Sequence, residues 1–272
     1  MTEIAKQVPA GAYIAVHGNT YRASALTRGP WHPEHQHGGP PIALVCRAVE
    51  RAALEHGLTH VSRLTANLLR PVPIDQVTIE VSTDYAGRNA GHFSARLHAG
   101  AKEVARFTAL VQREADVILP DPHSAEAGPP AVPPGPDQSP VGIFLFAGAH
   151  MGYADLVETR VARGRFFNGP CAIWFRLRQA LLDGEAPSAY QRVAVAADSG
   201  NGISAALDFA KYSFVNSDLT INLLRRPRGE WICVDACTHL GPSGSGLAES
   251  RLFDEHGLLG VGTQSLLIRP RA

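Results

Sequence analysis

The sequence lacks the features that mark several large classes of protein. No apolar run approaches the roughly 20 residues that a membrane-spanning helix needs, and residues 1–7 lack the charged-then-apolar order of a secretory signal. Basic and acidic residues are equal, at 25 each, so the net charge gives no sign of binding to nucleic acid or membrane. Only four cysteines occur, which is typical of reduced thiols in a cytosol. We therefore expect a soluble, cytoplasmic globular protein.

Familiar catalytic and cofactor motifs are also missing. No serine is flanked as in the Gly-x-Ser-x-Gly nucleophile elbow, and neither the Gly-x-Gly-x-x-Gly pattern after a strand nor a Walker sequence occurs. His32, His35 and His37 lie close together, but their spacing in a proline-interrupted loop matches no common zinc pattern. We expect neither a metal nor another cofactor.

What the sequence does contain is an internal repeat. Residues 62–70 and 217–225 are identical at seven of nine positions and lie 155 residues apart. Each copy soon meets a proline, so each is typical of a strand that ends in a turn. The spacing far exceeds the roughly 20–50 residues of solenoid repeats. The repeat predicts two copies of one small domain fused end to end.

Each half shows the same order of predicted elements: a strand, a helix and then four strands that can pair as a meander. This pattern predicts an α+β architecture in which one helix packs on an antiparallel sheet. Eight prolines occur between residues 120 and 140, which is typical of an extended linker. We predict an N-terminal unit at 1–115, a linker at 116–140 and a C-terminal unit at 141–272.

Three polar residues of the second half occupy positions that should face the core. By strand alternation, Ser217 and Gln264 share the apolar faces of their strands, and Asp198 stands directly before a glycine-rich helix entry. Aligning the halves places His37 opposite Asp198 and Thr108 opposite Gln264. A buried polar group costs about 1–3 kcal/mol unless it has a partner. Three such groups on one core need either one another or a bound substrate.

Ordinary structural explanations remain open for each of these residues. Asp198 could cap the helix that follows it, Ser217 could begin a strand, and Gln264 could bond to backbone near the open end of the sheet. A basic turn at residues 225–228 suits phosphate binding, although solvated turn charges explain it equally well.

These motifs resemble those of the double-hotdog acyl-CoA thioesterases, the thioesterase II group. In that fold a curved antiparallel sheet wraps a central helix, and two such units are fused in tandem. The catalytic set of that family is an aspartate, a threonine or serine, and a glutamine, which fall here on Asp198, Ser217 and Gln264. The resembling segments span nearly the whole chain: His37–Pro40, Ala197-Asp198, Ser217, Arg226-Pro227, Glu230-Trp231 and Thr263-Gln264.

The resemblance implies hydrolysis of a fatty or related acyl-CoA to the free acid and CoA. Asp198 would activate a water for direct attack on the thioester, and Ser217 and Gln264 would hold that water. It also implies a homo-oligomer, a dimer of double hotdogs, whose only other partner is acyl-CoA. Candidate oxyanion donors are backbone amides at the two glycine-rich helix entries: Gly38, Gly39, Gly200 and Gly202.

Two other functions stay open at this point. A double hotdog could bind acyl groups or other small hydrophobic molecules without turning them over. An acyl-CoA hydratase of the same fold is a further alternative, but the Gly-Asp-x-Asn-Pro-x-x-His type of signature is absent from the sequence.

Overall fold

The computed structural model describes residues 8–118, 131–144 and 150–271. Within these residues, fourteen strands form one mixed sheet, and two helices, α1 and α3, pack against it and against each other. The strands are β1 (Gly11–His17), β2 (Thr20–Ala23), β3 (His60–Leu68), β4 (Gln76–Ala86), β5 (Ala90–Ala99), β6 (Lys102–Gln112), β7 (Val157–Arg163), β8 (Cys171–Leu177), β9 (Ala180–Leu182), β10 (Tyr212–Asn216), β11 (Asp218–Leu223), β12 (Ile232–Leu240), β13 (Ser245–Asp254) and β14 (Gly257–Pro270). The α-helices are α1 (Gly39–Leu54), α2 (Tyr153–Leu156), α3 (Ala189–Ala197) and α4 (Gly200–Ile203).

The strand order repeats between the two halves of the chain. The first half runs β1-β2-β4-β5-β6-β3 and the second runs β7-β8-β12-β13-β14-β11, and β3 pairs with β11 where the halves meet. All of these pairs are antiparallel. The α+β double hotdog predicted from the sequence is confirmed.

The seam between the halves is built from the repeated segment itself. Thr65 lies opposite Thr220 in the antiparallel β3–β11 pair, and Thr220 Oγ1 donates to Thr65 Oγ1 across 3.2 Å. These two threonines are also counterparts in the sequence repeat. A pseudo-twofold axis therefore passes between them, and it joins the two units edge to edge without leaving β3 or β11 as an exposed strand edge.

The helix α1 follows the sequence expectation closely. Pro40 and Pro41 occupy its first turn, where the missing amide costs no hydrogen bond. The side chains of Ile42, Val45 and Val49 are buried at helical spacing. The chain leaves the helix through Gly57, whose φ of +68° is a left-handed conformation that favours glycine.

The structure corrects two details of the predicted elements. More than one strand precedes the central helix of each half: β1 and β2 in the first half, and β7, β8 and β9 in the second. The central helix of the second half is α3, which ends at Ala197, before the glycine-rich segment rather than after it. A Ser-x-x-Gln pattern marks its start, since the Ser188 hydroxyl accepts from the Gln191 amide.

Part of the predicted linker, residues 119–130, lies outside the described residues. Its final section packs against the second half, where Trp174 Nε1 donates to Pro134 O across 2.7 Å. One strand also crosses between the halves, because β9 pairs in parallel with β1 through Gly11 and Ala180. None of the helices in the described part of the chain is long and apolar enough to cross a membrane.

Candidate active site

A cavity of about 350 Å³ opens between the two halves. The first half contributes the loop that precedes α1 and the end of β3, and the second half contributes the α3–α4 corner and β10. Aromatic rings form much of the wall. The ring centroid of Phe209 lies 5.2 Å from that of Phe167 and 5.5 Å from that of Trp31. Phe167 takes a φ of 60°, an unusual conformation for a bulky residue. The volume suits a small organic ligand.

Asp198 lies in the cavity wall and is only 5% exposed. It is the C-cap residue of α3, directly after Ala197, so the expectation that it caps a central helix following it is wrong. Its carboxylate instead faces the N-terminus of α1 from the other half. A Cβ on Gly38 would lie 2.7 Å from Asp198 Oδ2, so the glycine permits this close approach.

The surroundings of Asp198 set its protonation. Burial raises the pKa of Asp198 to about 7, although hydrogen bonds from Asn216 and from the amides of Gly39 and Gly38 act in the opposite direction. The Asn216 donor, Nδ2, lies 2.9 Å from Oδ1. Asp198 is therefore a carboxyl group that exchanges its proton near neutral pH, as a general base requires.

His37 is the second titratable group beside this carboxylate. The Gly39 amide donates to His37 Nδ1 across 3.1 Å, and the same Nδ1 lies 3.2 Å from Asp198 Oδ2. Burial lowers the pKa of His37 to about 3, so the ring is neutral. Tyr153 stacks on it with ring centroids 3.8 Å apart.

Gln264 reaches Asp198 from β14, as strand alternation predicts. It is 2% exposed. Its Nε2 donates to the Asp198 carbonyl across 3.2 Å and lies 3.4 Å from Oδ1, while its Oε1 accepts from the Asn201 amide at 2.9 Å. Gln264 thus fixes both the backbone and the carboxylate of Asp198.

Ser217 does not join this group, because a β-bulge interrupts the strand. Asn216 lies opposite Leu266, yet Thr220 lies opposite Thr263, so one extra residue is inserted between them. The bulge reverses the alternation, turns Asn216 toward Asp198 and leaves Ser217 exposed at the edge of the cavity.

The first half contains the same bulge. The Ser217 hydroxyl donates to Ser265 O across 3.4 Å, and Ser62 makes the equivalent bond to Leu110 O across 3.1 Å. The register of β3 against β6 shifts at Ser62 as well. The serine shared by the two repeats is therefore explained by backbone geometry.

The register also corrects the alignment of the halves. Since Thr65 and Thr220 are counterparts, their partners Thr108 and Thr263 are counterparts too. Gln264 then corresponds to Ala109, and by the same count Asn216 corresponds to Val61. His37 is no counterpart of Asp198, because it precedes α1 whereas Asp198 ends α3.

This register supplies the signal that reveals Asn216. The first half has buried apolar side chains, Val61 and Ala109, at the two positions where the second half has Asn216 and Gln264. At an inward-facing position, a polar residue in one half where the other half has an apolar residue indicates a functional role for the polar one.

The four glycines named as oxyanion candidates differ in position. Gly38 and Gly202 line the cavity. A Cβ on Gly39 would lie 2.5 Å from Val195 O, and one on Gly200 would lie 2.7 Å from Ser250 Oγ, so these two permit close packing of the helices and the sheet. The amides of Gly38 and Gly39 face the Asp198 carboxylate.

Comparison with known proteins agrees with this architecture. A family model described as the acyl-CoA thioesterase N-terminal domain matches residues 27–112, and one described as the acyl-CoA thioesterase C-terminal domain matches residues 125–268. Among curated proteins, none matches the chain by sequence.

Solved structures share the fold at low sequence identity. A conserved protein with a hot dog fold from Alicyclobacillus acidocaldarius superposes with a TM-score of 0.72 at 19% identity, covering 97% of both chains. An acyl-CoA thioesterase II from Mycobacterium marinum has a TM-score of 0.65 at 17% identity, covering 96% of this chain and 95% of its own. A tesB protein from Mycobacterium avium subspecies paratuberculosis has a TM-score of 0.67 at 16% identity, covering 95% and 96%.

Proposed function

This chain belongs to the acyl-CoA thioesterase family and is a thioester hydrolase, and we propose that it hydrolyses acyl-CoA with a water molecule that Asp198 activates. The observation that carries this mechanism is the position of Asp198. Its carboxylate is buried in the wall of the cavity, and burial raises its pKa to about 7. A base with such a pKa is ionised in part of the population at neutral pH and still accepts a proton readily.

The reaction needs no covalent enzyme intermediate. Asp198 removes a proton from water while the water oxygen bonds to the thioester carbonyl carbon, and a tetrahedral oxyanion results. The C–S bond then breaks, the proton on Asp198 passes to the departing CoA thiolate, and the carboxylate is restored. The products are the free acid and CoA, and every proton is accounted for.

The neighbours of Asp198 act on the base rather than on the substrate. Asn216, the nearest side-chain donor, holds Oδ1 at 2.9 Å. His37 lies against Oδ2, and Gln264 holds the Asp198 carbonyl. These contacts stabilise the carboxylate in one orientation, which lowers the entropic cost of aligning it with the water. Ser217, at the edge of the cavity, has a minor role in this scheme.

The acyl group and the pantetheine arm would share the cavity between the halves. Apolar and aromatic side chains suit an acyl chain, and Arg70 is a cationic side chain on its rim. Arg70 Nη1 donates to Glu103 O, and its exposed guanidinium suits a phosphate of CoA.

The test is release of free thiol from a panel of acyl-CoAs of increasing chain length by the wild-type protein and by Asp198→Asn. Hydrolysis by the wild type that falls by about 10²–10⁴-fold in the variant supports the proposal. Binding of acyl-CoA without turnover in the wild type would favour a ligand-binding protein, and an undiminished rate in Asp198→Asn would exclude Asp198 as the base.

A further inference from the structure

Asn201 is a buried polar residue that the scheme above leaves without a task. It lies in the short helix α4, three residues after Asp198, and is 5% exposed. Its backbone amide donates to Gln264 Oε1 across 2.9 Å, so its position in the wall is fixed. Asn201 is one of the residues that line the cavity.

The side-chain carboxamide of Asn201 has no hydrogen-bond partner within the described ranges. Its polar atoms nevertheless keep some accessible area, unlike Arg63 Nε, an atom of the described residues that is fully enclosed and has no partner. Since the residue lines the cavity, that area faces the cavity. Solvent can bond to these atoms in the free protein, and a ligand that displaces the solvent has to supply the partner instead, because an unpaired buried carboxamide costs about 1–3 kcal/mol.

Other donors around Asp198 are already engaged. Asn216 Nδ2 and Gln264 Nε2 donate to Asp198. The amides of Gly38 and Gly39 face the same carboxylate. The Nδ2 of Asn201, by contrast, is a side-chain donor with no partner among the described residues, and it is free to meet an oxygen on the substrate.

Gln264 also couples the two residues. It accepts from the Asn201 amide through Oε1 and donates to the Asp198 carbonyl through Nε2. The base and the free carboxamide are thus held by one buried side chain, on the same corner of the chain.

We infer that Asn201 is a catalytic residue whose Nδ2 donates to the thioester carbonyl oxygen and stabilises the oxyanion as water attacks. This assignment rests on the proposed hydrolysis of acyl-CoA. Negative charge develops on that oxygen only as the reaction proceeds, so the hydrogen bond strengthens in the transition state. It also gives the α3–α4 corner a role in catalysis through a side chain rather than through the amides of a short helix.

The test compares Asn201→Ala with Asn222→Ala, a control at an exposed asparagine of the same half. For Asn201→Ala we expect kcat to fall by about 10²–10³-fold, the loss seen when one oxyanion donor is removed, with KM nearly unchanged. Asn222→Ala should retain wild-type kinetics. A loss of kcat equal to that of the control would overturn the assignment.

A second measurement separates a catalytic role from a merely structural one. An S-alkyl-CoA thioether lacks the carbonyl oxygen, so its Kd should be the same for the wild type and Asn201→Ala. A weakened thioether affinity in the variant would show that Asn201 shapes the cavity instead. If the wild type hydrolyses no thioester, the proposed function fails. In that event the Kd values still test the contact. Tighter binding of the thioester than of the thioether by the wild type, with no such difference in Asn201→Ala, would support the contact. Equal Kd values for the two ligands in the wild type would refute it.

Discussion

At the scale of single residues, the contacts of Asp198 predict how strongly each substitution around it should lower activity. Replacing Asp198 with Asn removes the base, whereas replacing His37 with Ala removes only a neighbouring ring whose Nδ1 lies 3.2 Å from the carboxylate. We expect His37→Ala to reduce kcat/KM less than Asp198→Asn does, because the base itself stays in place. Steady-state kinetics of folded His37→Ala and Asp198→Asn check the ranking.

The pH dependence adds a control to this ranking. Because His37→Ala keeps the base, its kcat/KM should still rise with pH, whereas Asp198→Asn should lack that rise. A loss in His37→Ala equal to or larger than that in Asp198→Asn would place the principal site in the first half.

Asn216 and Ser217 provide a second comparison between neighbouring residues. Asn216→Val copies the side chain at Val61, the equivalent position of the first half, and removes the donor to Asp198 Oδ1. A hydrogen bond to a charged group contributes about 1.5–3 kcal/mol, so we expect at least a tenfold loss of kcat/KM at neutral pH. Ser217→Ala is the matched control and should stay near wild type. The check is kcat/KM of both variants with one substrate. A greater loss in Ser217→Ala than in Asn216→Val would contradict the positions of these two residues described above.

At the scale of elements, the sequence predicts regular structure better than its interruptions. Alternation correctly placed Gln264, because β14 is regular from Thr263 to Ile268 and keeps its buried positions in phase. Alternation placed Ser217 on the wrong face of its strand. The bulge depends on which backbone groups of β14 pair with β10 and β11, and the order of side chains along the sequence does not reveal that register. Once Thr65 and Thr220 are known to pair, the alignment of the halves follows.

The central helix of the second half was misplaced for a different reason. Glycines precede α1, and the glycine-rich segment after Asp198 looked like the same helix entry. In the structure that segment forms only the four-residue turn α4, because α3 already fills the core before it. The Ser188-x-x-Gln191 pattern could have identified the true start.

The basic turn after β11 proves to be a structural element. Arg225 forms two hydrogen bonds, of 2.7 and 2.6 Å, with Asp254, which is 0% exposed. Arg225→Ala leaves this carboxylate buried without its partner, and we expect a loss of about 3–5 kcal/mol in the free energy of unfolding. Denaturant titration measures it.

A neighbouring arginine is the control for this ion pair. Arg226 is 58% exposed and lies 3.8 Å from Glu114, so Arg226→Ala should change stability by about 0–1 kcal/mol. The hydrogen bonds from Arg225 help hold the pKa of Asp254 below its usual value despite burial. The stability they provide is present above the unfolded pKa of about 4 and disappears as the pH falls. Equal effects of the two variants at neutral pH would refute the structural role of Arg225.

At the scale of the whole molecule, the fused pair retains symmetry in its fold but not in its chemistry. The opposite end of the helix pair has Val61 and Ala109 in place of the polar residues, and the cavity there is only about 10 Å³. A space of that size holds at most about one water. Tyr190 and Leu223 help to close it.

The one large open cavity found among the described residues predicts one binding site per chain. Calorimetric titration with an S-alkyl-CoA thioether should give a stoichiometry of one, and His37→Ala should keep that value. Two equivalent sites per chain would mean that the closed end opens in solution, and would contradict the asymmetry argued here.

The pH–rate profile of acyl-CoA hydrolysis tests the central claim, Asp198 as the base, most directly. With wild type and folded Asp198→Asn compared between about pH 5 and about pH 9, kcat/KM of the wild type should rise about tenfold per unit at low pH. It should level off above the pKa of about 7 that burial gives Asp198. The Asp198→Asn profile should lack this rise and lie about 10²–10⁴-fold lower on the plateau. A wild-type profile that falls through neutral pH, or the same rise in Asp198→Asn, would contradict the account.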